Sequence, residues 1–198
     1  MRNTTIAAII SCIVFVAAGT AQAEGTGLGQ IGKDLGAGVA QGLKAGLIPA
    51  ADKDFMLNAA SGGIAEVQMA RIALEKSMSP SVKEFAQHMI NDHTKANDEL
   101  RSIATAKGVT LSDVPNANHK ALVDKISSTP AHDFDKTYIQ ESGINAHREM
   151  QTLFRNESTS GLDPEIKAFA TKTLPTVEMH LKESERIHDD LRTAPATK

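Results

Sequence analysis

Cysteine is all but missing from this chain: the single one, Cys12, falls within the first 23 residues. Those residues read as a removable export signal, so the mature chain has neither a disulfide nor a thiol nucleophile, which suits an oxidising envelope compartment. A strong excess of either charge is also missing. The formal net charge is −3, and the basic residues are spread along the chain rather than clustered, so nucleic acid is not expected as a partner. Beyond the N-terminal segment no apolar run approaches the roughly 18 residues that a bilayer span needs. Ser-His-Asp motifs, nucleophile elbows and phosphate loops are missing too, which makes an enzyme the weakest of the functional readings.

The N-terminal segment has the three parts of a signal peptide. Arg2 supplies the positive start, Ile6 to Ala18 the apolar stretch, and Ala21-Gln22-Ala23 a small-x-small cleavage site. Residues 1–23 are thus expected to be removed and the protein to be exported to the periplasm, with association to the outer membrane as a variant of that location. Ile9-Ile10-Ser11-Cys12 loosely fits a lipoprotein box, but the apolar run continues past it, so cleavage there would split the signal.

Residues 24–51 form a second compositional block that holds eight of the chain's 14 glycines. Its simplest reading is a flexible linker. Gly38, Gly42 and Gly46 recur every four residues opposite Leu35, Val39, Leu43 and Leu47, which leaves self-association or contact with a membrane surface as the alternative.

From Asp52 the pattern is helical. Ser79-Pro80, Thr129-Pro130 and Asp163-Pro164 each place a capping residue before a proline suited to a first helical turn. Gly108 and Gly161 supply stops, and Asp52 is expected to cap the first helix. Helices are predicted at 52–77, 80–107, 130–157 and 164–191. The second carries Val82, Phe85, Met89, His93, Ala96, Leu100 and Ile103 on one stripe, and the fourth carries Ile166, Phe169, Val177, His180, Ser184 and Ile187. The third is less regular, with Phe134 and Tyr138 drifting off the stripe of His147, Met150 and Phe154.

Connection lengths select the topology. Short links join the first pair of helices and the second pair, making two antiparallel hairpins, while residues 108–129 lie between them with a short helix at 119–128. An extended link of that length reaches roughly 70 Å, against about 42 Å for the second helix, so it can run the length of the bundle. The expected fold is all-α: a ferritin-like four-helix bundle over 52–192, with a tail at 193–198.

Several runs resemble a known family. Asp52-Lys53-Asp54-Phe55, Glu66-Val67, Phe85 through His93, His147, Leu174-Pro175 and His180-Leu181 are similar to those of ferritin-like bacterial envelope proteins of unknown function, often labelled putative outer membrane proteins. The resemblance implies export and a ferritin-like bundle. It brings no activity with it.

Glu66, His93, His147 and His180 fall one to each predicted helix, each within about four residues of its middle, or about 6 Å of axial rise. Buried ionisable groups need a partner or a metal. Three imidazoles and a carboxylate make a candidate site for one transition-metal ion, Fe, Mn, Zn or Cu, for metal handling or oxidant defence. Gly62, Gly63 and Ala59 are expected to leave room for it, with Gln151 and Glu183 as acceptors behind the histidines. A di-iron centre fits poorly, since Ile90 and Val177 stand where Glu-x-x-His would need glutamates. The alternative is a metal-free structural or stress-associated interaction module, whose buried Glu/His network sets helix register. Asp92 is expected on the helix surface, His88, His119, His132 and His188 at solvated or helix-end positions, and Met56, Met69, Met89, Met150 and Met179 as core filling. Pro175 is expected to kink the last helix.

Overall fold

The computed structural model describes residues 48–193. The expected signal peptide, nearly all of the Gly-rich block with its proposed contacts, and the tail beyond Thr193 lie outside the described residues. Five helical stretches build the bundle: α1 (Ala50–Lys76), α2 (Pro80–Ala106), α3 (Ala117–Ser128), a third long helix of three contiguous parts, α4 (Ala131–Tyr138), a π-helical segment (Ile139–Asn145) and α5 (Ala146–Ser160), and α6 (Pro164–Thr193). The fold is the expected all-α bundle of two hairpins. None of the described helices is long and apolar enough to cross a membrane.

Packing fixes the helix directions. Phe55 at the start of α1 meets Phe154 near the end of α5 edge-on, with ring centroids 5.0 Å apart, and Phe169 near the start of α6 at 6.3 Å. Leu100 and Ile103, late in α2, belong to the same apolar cluster. Hence α2 and the third long helix run parallel, and the link between them returns lengthwise, as the crossover topology requires. At the other end Met69, Phe85, Met89, Phe134, Tyr138 and Ile187 form a second cluster, closed by Ile126 of the crossover helix α3. Burying each such large apolar side chain contributes about 1.5–3 kcal/mol.

The punctuation residues act in ways the sequence only partly indicates. Asp163 is a true cap, accepting from the N–H groups of Glu165 (3.0 Å) and Ile166 (3.2 Å). Gly108 ends α2 with φ +70°, a left-handed conformation that glycine takes without penalty. Thr129 does not cap α4; its hydroxyl donates to the Lys125 carbonyl and closes α3 instead. Asp52 does not cap α1 either. It is buried in the first turn and accepts from the N–H groups of Leu162 and Asp163, tying α1 to the loop before α6. Met179, expected in the core, is 51% exposed. The last helix runs on through Pro175 to Thr193 as one element.

The irregular stripe of the third helix has a structural cause. Nine residues separate Tyr138 from His147, which in a uniform α-helix at about 100° per residue would put them on opposite faces. Both are fully buried. The π-helical segment between them absorbs the extra residue, a device frequent at functional sites. Gly143 lies in that segment, and a methyl group there would come within 2.6 Å of Ser184 Cβ on α6. We expect Gly143→Ala to cost about 1–3 kcal/mol in urea unfolding, the range for an overpacked core. Adding Ser184→Gly should recover most of the loss.

Candidate metal centre

Between the two apolar clusters lies a polar layer, to which each long helix contributes one residue. Glu66 comes from α1, His93 from α2, His147 from α5 and His180 from α6, and all four are buried, His147 and His180 completely. His93 and His180 occupy their helices' apolar stripes by periodicity alone, whereas His147 reaches the same layer because the π-helical segment rotates it inward. The three imidazole rings form a near-equilateral triangle with centroids 5.3–5.5 Å apart. One nitrogen of each lies within 4.8 Å of the other two.

Two of the rings are hydrogen-bonded from behind through one nitrogen, and the third has a carboxyl group against it. His147 Nδ1 lies 2.9 Å from the carbonyl oxygen of Ser142, within the π-helical segment. His180 Nε2 lies 2.9 Å from Asp92 Oδ2 on α2. His93 Nδ1 is 3.0 Å from Glu66 Oε2, and His147 Nδ1 is 3.6 Å from Glu66 Oε1. The remaining nitrogens, His93 Nε2, His147 Nε2 and His180 Nδ1, have no hydrogen-bond partner. Neither do the Glu66 oxygens by angle, despite their short distances, so that carboxyl group touches the rings without being saturated by them. Buried polar atoms are rarely left this way, and five in one layer ask for a further ligand.

The supporting residues differ from expectation. Asp92 is the acceptor behind His180: its backbone position is on the α2 flank, but α6 packs close enough for His180 to reach across to it. Gln151 instead donates to Glu178, and Glu183 lies 3.5 Å from His88 at the surface. Of the small residues of α1, Gly63 leaves no gap and Gly62 borders a cleft. A methyl group on Gly63 would strike the Asn97 amide, and the space above Gly62 is bordered by Met150 and His119. No sequence signal marks the Asp92 to His180 bond, because it depends on the angle at which two helices distant in sequence pack.

A family profile described as a domain of unknown function, DUF4142, matches residues 38–187. The chain belongs to the DUF4142 family. The resemblance noted in the sequence is met to the extent of a bacterial family of unknown function. The matched region begins inside the Gly-rich block. No curated protein matches the chain by sequence. Two solved structures share the architecture of this DUF4142 domain. A crystal structure of a DUF305 fragment from Deinococcus radiodurans superposes with a TM-score of 0.64 at 13% identity, covering 72% of this chain and 98% of that one. CopM in its Cu(II)-bound form superposes with a TM-score of 0.61 at 17% identity, covering 71% and 97%. At these identities the likeness speaks for the fold.

Burial keeps the layer of this DUF4142 domain neutral. It pushes the Glu66 carboxyl up to about 8. It holds His147 down to about 3, helped by the nearby His180 and opposed by hydrogen bonds to the backbone at Ser142 and Gly143. His93 is lowered well below the usual imidazole range by burial and by its two histidine neighbours, and His180 is lowered by burial against the pull of Asp92. The Glu66 to His93 contact is thus a pairing of neutral groups in the metal-free protein.

The signs of the two effects oppose each other. The histidines bind protons more readily when unfolded, so their contribution is present above pH 6.5 and lost as pH falls below it. Glu66 binds its proton more readily when folded, so its contribution is present below about 4.5 and lost as pH rises towards about 8. We expect metal-free protein to lose stability between pH 6.5 and 8 relative to Glu66→Gln, with a slope of up to about 1.4 kcal/mol per pH unit. Urea unfolding of both proteins across that range measures it; parallel curves would contradict a neutral Glu66.

Proposed function

We propose that this protein is an exported metal-binding bundle that holds one transition-metal ion between His93, His147 and His180, with copper the first candidate. The observation that carries the reading is the convergence of three buried imidazoles, two of them hydrogen-bonded through one nitrogen and the third 3.0 Å from Glu66, each with its other nitrogen lacking any partner. An imidazole oriented from behind by a carbonyl or carboxylate is the usual support of a metal ligand. Two nitrogens on one ion at about 2.1 Å stand no more than about 4.2 Å apart, so small side-chain rotations from the present spacing suffice. Imidazole suits copper, zinc and iron alike, and the Cu(II)-bound form of the structurally similar CopM favours copper among them.

Glu66 is the carboxylate of this site. Its proton leaves when the ion arrives, and the resulting negative charge offsets the cation in a region that has no other buried anion within the layer. The export signature of residues 1–23 supports a role in the envelope, in holding or buffering metal there rather than in catalysis.

The decisive experiment is elemental analysis of tag-free residues 24–198, purified from the periplasm without chelator or nickel resin. We expect about one equivalent of one transition metal, lost in His147→Ala. Protein that stays empty and thermally unshifted with added copper, zinc, iron and manganese would instead support the metal-free network that sets register. Titration calorimetry in buffers of different ionisation enthalpy supplies a second check. At pH 7 the parent should release about one proton per ion bound, and Glu66→Gln none.

A further inference from the structure

A cleft of about 480 Å³ opens between α1, the crossover helix α3 and the third long helix. Of the four residues in the polar layer only Glu66 borders it. That carboxyl group is 1% exposed and neither of its oxygens is satisfied, so the cleft ends on an unpartnered, buried, ionisable group. One turn before it stands Gly62. A methyl group there would lie 3.2 Å from Met150 Sδ and 3.6 Å from His119 Cε1, so a thioether and an imidazole come together over the space the glycine leaves. The His119 ring is oriented by Ser61 Oγ, 2.6 Å from Nδ1, and the same hydroxyl accepts from the Asn116 N–H at 2.8 Å, stitching the crossover to α1 at this point. Glu149, exposed at the rim, acts electrostatically on His119.

From rim to floor the cleft thus offers a carboxylate, an imidazole, a thioether and a second carboxylate. These donors span the hard and soft ligands that late first-row cations accept. The opposite side of the polar layer is closed differently. Asp92 is engaged by His180, and the shallow depression beside it, about 120 Å³, is lined by Lys95 and Lys172 along with Asp92 and Glu99; Glu99 is paired with Lys172, so the depression is small and has no net charge to attract a cation.

We infer that this cleft is the route by which the ion reaches the histidines: Glu149 draws it in, His119 and Met150 pass it inward, and Glu66 hands it to the three imidazoles. This rests on the metal-binding reading above. The route makes the crossover helix a functional part of the bundle and gives His119 a role beyond its hydrogen bond to Ser61. It also has a kinetic signature. Narrowing a passage slows ingress and egress by the same factor and leaves affinity unchanged, whereas disturbing a ligand changes affinity.

Tyr138 reports the event without a label. It is the chain's one tyrosine, there is no tryptophan, and its ring is separated from His180 by Phe85, which lies 6.2 Å from each. Quenching of its fluorescence by aqueous Cu(II) in stopped flow gives the loading rate, and excess EDTA gives the release rate. We expect Gly62→Ala to slow both at least about fivefold with unchanged occupancy at equilibrium. Glu149→Lys, an exposed change that leaves folding alone, should slow loading about tenfold at low salt and less at high salt, as a steering charge does. Loading by both variants at the parent rate would overturn the route while leaving the centre intact, as would a Gly62→Ala protein that loads normally but binds more weakly. If Gly62→Ala fails to fold, Glu149→Lys decides alone. A parent protein that takes up no Cu(II), Cu(I) or Zn(II) would overturn the centre and the route together.

Discussion

Four ionisable side chains in one buried layer are the constraint around which this bundle is arranged. Moving a polar group out of water costs several kcal/mol unless it finds a partner, and a fixed charge costs more. The structure meets that cost in two ways. Burial drives Glu66 and the histidines to their neutral forms, His147 and His180 each hydrogen-bond an oxygen through one nitrogen, and His93 lies against the Glu66 carboxyl. What remains is a triangle of three imidazole rings, each with one nitrogen that has no partner, which an apolar core of the same size would not contain. The apolar clusters on either side supply the stability that lets such a layer persist.

The π-helical segment and the crossover serve the same layer. Without the extra residue in the third helix, Tyr138 and His147 could not both face the core. The segment also brings the Ser142 carbonyl onto His147 Nδ1, so a single local distortion both turns the ring inward and fixes it there. Close approach of this segment to α6 requires the hydrogen side chain of Gly143. The crossover helix in turn closes the second apolar cluster through Ile126 and walls the cleft that ends on Glu66.

Much of this was legible in the sequence because it follows from periodicity. The stripes of the second and fourth helices place His93 and His180 correctly, since a residue's face on a regular helix is set by counting. Gly108 and Asp163 mark boundaries through local backbone chemistry, and they act as such. Counting fails where the helix changes its own period, which is why Phe134 and Tyr138 look misplaced beside His147. It fails again for Asp52, Thr129 and Asp92, whose partners are Leu162 and Asp163, Lys125 and His180. A short polar side chain near a helix end can cap its own helix or reach elsewhere, and the local sequence is the same in both cases.

The sequence alone therefore determined the helices, their pairing into two hairpins, the long crossover, and the presence of one ionisable residue per helix at mid-height. These depend on spacing along the chain and on the residues that start and stop a helix. Only the tertiary structure decided which nitrogen of each histidine is held, that Asp92 rather than Glu183 supports His180, and that a cleft leads to Glu66. Those features depend on how far one helix is rotated and shifted against another. A difference of one side-chain contact there exchanges one hydrogen-bond partner for another, and the linear order of residues does not encode it locally.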